Sequence, residues 1–244
     1  MPNLASNSVV NIFTIPASSW TVINQRVGVV LMAAPYQTFF NQLVPSYPSL
    51  LTSSQLWQSS TFNSLISQSQ ALATYAATAI SNFSHLNADV KAAIQSGSGT
   101  ISELLKQETV ATLQKLSSDT TTLAASTNLL TQQVLAFLND NKVVDNEVEQ
   151  HKDIFDELGI NWNTVTDYLI TLENDVALVT GEWSAISDDL KNTLSNTVDL
   201  SIPFLESLNI DAAIVTWQNV QNEASAFTAL VAGQTQFWTN PYPS

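Results

Sequence analysis

Few residues in this chain could do chemistry. The only histidines are His85 and His151. A metal held by them would need both, joined in space by carboxylates. Glu147 and Glu149 lie near His151, but no H-E-x-x-H pair is present. Serine is abundant, yet no G-x-S-x-G elbow presents one as a nucleophile. No phosphate loop or dinucleotide fingerprint occurs. There is no cysteine, which excludes disulfides, thiolate ligands and cysteine nucleophiles. The expectation is a non-enzymatic chain with no metal and no cofactor. The densest acidic stretch is Asp140, Asp145, Glu147, Glu149, Asp153, Asp156 and Glu157, offset by Lys142 and Lys152. Its first following glycine is Gly159, so the calcium-loop pattern fails. Residues 140–160 are expected to form a solvated acidic connector between two long helices.

The 244 residues carry 7 Lys+Arg against 21 Asp+Glu, a net charge of -14 that disfavours binding to nucleic-acid phosphates. The charge is unevenly spread. Residues 1–88 hold a single charge, Arg26, and every other charged residue lies from Asp89 onward. Ser, Thr, Asn and Gln must solubilise that first third. They cost far less than charges to move into an interface. The longest early apolar stretch, Val27 to Val44, is interrupted by Pro35, Gln37, Asn41 and Gln42, so it does not read as a spanning helix. No cationic leader opens the chain, and no secretory signal is expected in it.

Positioning is the work of helices. Apolar residues recur with alternating spacings of three and four, the mark of a helix with one packed seam. The clearest run is Trp162, Val165, Leu169, Leu172, Val176, Val179, Trp183, Ile186, Leu190, Thr193, Thr197. A second is Leu113, Leu116, Thr120, Leu123, Thr127, Leu130, Val134, Phe137. A third runs from Phe62 through Leu65, Ser69, Leu72, Ala76, Ala79, Phe83, Leu86 and Val90 to Ala93. A shorter one reads Ala213, Trp217, Val220, Ala224, Phe227, Val231. Trp20, Ile23, Val27 and Val30 begin a fifth, which Pro35 should bend or end. The seam tryptophans are expected to pack in the core. Trp20, Trp57 and Trp238, near helix or chain ends, are expected to pack too, with an interfacial role as the alternative.

The punctuation agrees. Pro45-Ser46-Tyr47-Pro48 separates the first helix from the second, and Ser96-Gly97-Ser98-Gly99 is a turn. Thr52 with Gln55, and Thr100 with Glu103, read as capping boxes. Gly159 is a helix stop, Asn161 and Asn209 are caps, and Pro203 lies in the break before the last helix. The sum is an all-α, elongated up-and-down bundle of four to five helices, one architecture over residues 1–244.

The N-terminal segment, residues 1–44, is apolar on more sides than one packed stripe requires. Val9, Val10, Ile12, Phe13 and Ile15 precede a helix bearing Trp20, Val29, Val30 and Leu31, and Phe39 and Phe40 follow. These are the candidate membrane-contact residues. Either the bundle buries them all round or it stores them for release onto lipid. Ser and Thr at seam positions (Ser69, Thr120, Thr127, Thr193) would weaken the packing that holds them.

Two segments carry a resemblance to a known family. Trp183-x-x-Ile186-x-x-Asp189-Leu190 and Trp217-x-x-Val220-x-x-x-Ala224 resemble stretches of the long fourth helix and the last helix of the alpha-helical pore-forming toxins, the cytolysin A and haemolysin BL group. The order of helices, a short first, three long and a shorter last, is similar too. The resemblance implies a secreted, soluble toxin that turns membrane-associated, with a lipid membrane and further toxin chains, like or unlike, as partners. Trp162, Leu172, Val179, Trp183, Ile186, Leu190, Trp217 and Phe227 would pack its seams. Members of that family carry an apolar tongue between the third and fourth long helices. The acidic stretch stands there in this chain, so insertion falls to the N-terminal segment or to a partner chain. A protein-binding helical module and a carrier of hydrophobic ligands are the alternatives.

Overall fold

The computed structural model describes residues 15–97, 101–159, 162, 164–195 and 201–241. It is an all-α helical bundle, and the described residues contain no strand. In chain order the helices are α1 (Ala17–Ala33), α2 (Gln37–Leu43), α3 (Tyr47–Leu56), α4 (Phe62–Gln95), α5 (Glu103–Gln150), α6 (Lys152–Glu157), α7 (Thr166–Ser195), α8 (Ile202–Ser207) and α9 (Ile210–Val231). A 3₁₀ turn, Ala34–Tyr36, joins α1 to α2, a π-turn, Trp57–Thr61, joins α3 to α4, and another 3₁₀ turn, Gln234–Trp238, follows α9.

Contacts divide the chain into two units. The first takes in Gln68–Thr127 and Leu178–Ala226. The second takes in Phe13–Ser67, Asn128–Ala177 and Phe227–Ser244.

In the first unit the predicted seams are the core. Leu72, Ala76, Ala79, Phe83, Leu86 and Val90 of α4 are buried, as are Leu113 and Leu116 of α5, Val179, Trp183 and Leu190 of α7, and Ala213, Trp217, Val220 and Ala224 of α9. Ile186 is only half-buried. The two tryptophans of the toxin-like segments meet: Trp183 and Trp217 stack 6.5 Å apart, and Tyr75 sets its ring edgewise to each. The hydroxylated seam positions solve their own burial. Thr120 donates to the Ser117 carbonyl, Thr193 to that of Asp189 and Thr127 to that of Leu123. Ser69 donates across to the Ala224 carbonyl at 2.6 Å. A buried hydroxyl so bonded avoids the desolvation penalty of an orphan group.

In the second unit, aromatic side chains form a continuous core. Trp57 lies 4.7 Å from Phe137, Trp20 is 5.5 Å from Phe227, and Phe62 is 5.5 Å from Trp238. Such offset and edge-on pairs add to the area they bury.

Several expectations need correction. Thr52 and Gln55 do not cap a helix. Thr52 lies inside α3 and its hydroxyl donates back to the Pro48 carbonyl. Pro48 starts that helix instead, its fixed φ suiting the first turn. Thr100 lies outside the described residues, and Ser102 accepts from the Leu105 N–H at the start of α5. Asp140–Gln150 are no connector but the end of α5, and only α6 is a separate short helix. Trp162 precedes α7 rather than extending its seam. Gly159 takes φ +65°, the left-handed geometry of a helix stop. Asn161 and Thr197 lie outside the described residues.

Candidate functional site: a helical elbow with an apolar outer stripe and the polar lock beneath it

The elbow is α1, its 3₁₀ turn and α2. Pro35 cannot continue α1, so the helix ends at Ala33 and resumes at Gln37. Its inner face holds Trp20, Ile23, Val27 and Val30, each at most 1% exposed. Ile15 and Phe40 are also core residues. Six of the eleven candidate membrane-contact residues therefore have described positions other than full exposure: Ile15, Trp20, Val30 and Phe40 are buried, and Val29 and Leu31 are half-buried. Val9, Val10, Ile12 and Phe13 lie outside the described residues.

On the outer face, Val29 and Phe39 are among the candidate contacts, and Tyr36 is the residue that sequence inspection does not single out. Val29, Met32, Tyr36, Phe39 and Leu43 recur at three- and four-residue spacing along the elbow. Val29 and Leu43 are half-buried, while Met32, Tyr36 and Phe39 are 56%, 67% and 44% exposed. The signal was present in the spacing. Pro35 interrupts the helix as expected, and Met32, Tyr36 and Phe39 are exposed on both sides of the 3₁₀ turn. Isolated exposed apolar residues are ordinary, but three within eight positions, with no charged residue between Arg26 and Asp89, form a patch.

Beneath the elbow lies a polar lock. Arg26 has a side chain 1% exposed. Its guanidinium donates to Asp145 Oδ1 at 2.8 Å and to Asn141 Oδ1 at 3.2 Å. It also lies 4.1 Å over the ring of Trp162, a cation–π contact. Asp145 further accepts from Trp162 Nε1 at 3.0 Å and from the Thr166 hydroxyl at 2.8 Å. Glu147 accepts from both the Ser46 backbone N–H and its hydroxyl, at 2.9 and 2.7 Å, and so satisfies the start of α3. Two members of the supposedly solvated acidic stretch are thus structural acceptors. A second node is Asn24, whose Oδ1 accepts from the indoles of Trp57 and Trp238 and whose amide donates to the Trp20 carbonyl. The indole N–H of Trp20 itself has no acceptor among the described residues.

Gly28 lets the C-terminal turn close on α1. A Cβ there would run into the Phe237 carbonyl. Gly28→Ala is expected to destabilise the fold by about 1–3 kcal/mol, the usual cost of overpacking. A chemical denaturation midpoint checks this.

Tyr47 donates to the Val30 carbonyl at 2.7 Å. Burial pushes its phenol up from 10.0 to about 12. The folded state therefore favours the neutral form. The stability this confers is complete below pH 10 and is lost as pH rises towards 12. A tyrosinate absorbance titration should show a late step that Tyr47→Phe removes. Tyr75 is pushed up as well, by burial first and then by the nearby Asp119 charge.

The histidines do not converge. His85 lines a groove of about 300 Å³ with Asn82, Asp89, Glu108 and Thr112 in the first unit. His151 precedes α6. Among the described residues no group of three or more His, Asp or Glu side chains could hold a metal ion. No described helix is long and apolar enough to cross a membrane. Comparison with protein-family models, with curated proteins and with solved structures finds no match to this chain.

Proposed function

We propose that this chain is a non-enzymatic, membrane-active protein of the pore-forming-toxin type, which meets lipid through the outer stripe of its N-terminal elbow. The carrying observation is that stripe: Met32, Tyr36 and Phe39 exposed together on a segment without charge. Aromatic and apolar side chains without charged neighbours partition into the membrane–water boundary. Burying the three would supply about 3–5 kcal/mol, allowing for their being partly covered already. The orphan indole N–H of Trp20 supports a second step. It gains an acceptor once α1 leaves the core for a lipid interface, at which indoles are favoured. In this reading the protein is secreted in a soluble form, binds membranes and assembles there with copies of itself or with a second toxin chain. A net charge of -14 gives it no attraction to anionic headgroups, so neutral lipid is the favoured surface.

A second reading rests on the same stripe. Its three-and-four spacing would also fit a helix from a partner protein. Flotation with phosphatidylcholine vesicles and release of a trapped dye, with the protein alone, decide between them. Binding and leakage support the membrane reading. A monodisperse protein that neither floats nor releases dye rejects it.

A further inference from the structure

We infer that the Arg26–Asp145 pair is a latch: it holds α1 against α5 within the second unit and sets how readily that helix opens. The inference rests on the proposed release of α1 for its purpose, but not for its test. Arg26 is the only charged residue among the first 88, and it sits on the buried side of an otherwise uncharged helix. An apolar residue there would hold α1 with no desolvation penalty. A buried ion pair adds little net stability against such a replacement, yet separating its partners is strongly unfavourable. That combination makes holding all-or-none rather than gradual.

The geometry concentrates the holding at one carboxylate. Asp145 Oδ1 takes Arg26 and Trp162, and Oδ2 takes Thr166. It thereby ties α1 to α5 and to the chain entering α7. Asn141 backs it, with its own amide fixed to the Phe137 carbonyl at 2.8 Å. The other directed contacts of α1 are between uncharged groups, Asn24 with Trp57 and Trp238 and the Val30 carbonyl with Tyr47, so none carries the penalty of a separated ion pair. Once α1 leaves, the long arginine stem can carry the guanidinium to water or to the headgroup level, so the charge does not oppose transfer of the rest of the helix.

Amide hydrogen exchange of the full chain, without lipid, tests this. Asp145→Asn should speed exchange across Ala17–Ala33 tenfold or more and leave the first-unit part of α4 unchanged. Thr166→Val, which removes one hydrogen bond and should fold in any case, should give a smaller, two- to fivefold rise. Arg26→Met with Asp145→Asn should give less than the product of the single effects, the sign of a shared interaction. Lys91→Met, which removes the exposed pair with Asp211, should leave α1 exchange unaltered. Unchanged α1 exchange in both Asp145→Asn and Thr166→Val, or acceleration of every helix together, overturns the latch. Local opening of α1 in a protein that never releases dye keeps the latch and removes the membrane reading. Dye release by a protein whose α1 exchange ignores these substitutions does the reverse.

Discussion

Tyr36→Glu combined with Phe39→Glu should lower vesicle association at least about a hundredfold while leaving the unfolding midpoint nearly unchanged. The two halves of this expectation have different causes. Tyr36 and Phe39 are 67% and 44% exposed, so neither substitution opens a cavity, and surface changes of this kind usually stay within about 0.5 kcal/mol. At a lipid surface each would contribute roughly 1.5 kcal/mol of burial, and a carboxylate contributes none. Two such losses amount to about two decades in partitioning, since 1.4 kcal/mol is tenfold. Leu104→Glu is the matched control, because Leu104 is equally exposed but stands beside charged Glu103 and Lys106 on α5. Flotation should be unaffected by it. Binding of the unaltered protein should also change little between low and high salt, because no basic patch drives it. Retained flotation by the double variant would move the contact away from the elbow, and loss of folding would show first as a shifted midpoint.

The helices were legible in the sequence because helix geometry imposes its own period on burial. Ala213, Trp217, Val220, Ala224, Phe227 and Val231 were read as one seam, and all six are buried. The same held for the inner face of α1. What spacing could not supply was partners. Arg26 and Asp145 are 119 residues apart, and each looked like an ordinary charge. Glu147 was read as solvated, yet it closes the start of α3 across 101 residues, which is why Thr52 and Gln55 are not needed there. Local motifs compete with distant acceptors, and only the packing of helices decides which wins. Trp162 fitted the heptad numerically but stands before α7, where it meets Arg26 and Asp145 instead of a helical seam. Of the outer stripe, Val29 and Phe39 are legible in the sequence as candidate contacts, whereas Tyr36, next to Pro35, falls in no heptad and is placed only by the 3₁₀ turn.

Asn24→Leu should destabilise the protein by about 3–5 kcal/mol, a large part of the 5–15 kcal/mol that holds a typical domain together. The side chains are close in size, so the cost is not a cavity. It comes from two indole donors, Trp57 at 3.2 Å and Trp238 at 2.7 Å, that lose their shared acceptor. A buried donor without an acceptor costs roughly 1–3 kcal/mol. Trp57 is fully buried and carries the larger share, whereas Trp238 is half-buried and can reach water. The diagnostic variant is therefore the second one. Trp57→Phe added to Asn24→Leu removes the orphan donor, and replacing both partners of a buried hydrogen bond by apolar groups is far milder than replacing one. The pair should accordingly be more stable in denaturant than Asn24→Leu alone, even though Trp57→Phe by itself removes packed volume. A strictly additive loss would mean that Trp57 and Asn24 only pack side by side. Recovery would mean that one uncharged amide, placed among three tryptophans, holds the middle of α1 to the π-turn after α3 and to the C-terminal turn, while Arg26, two residues on, holds it to α5.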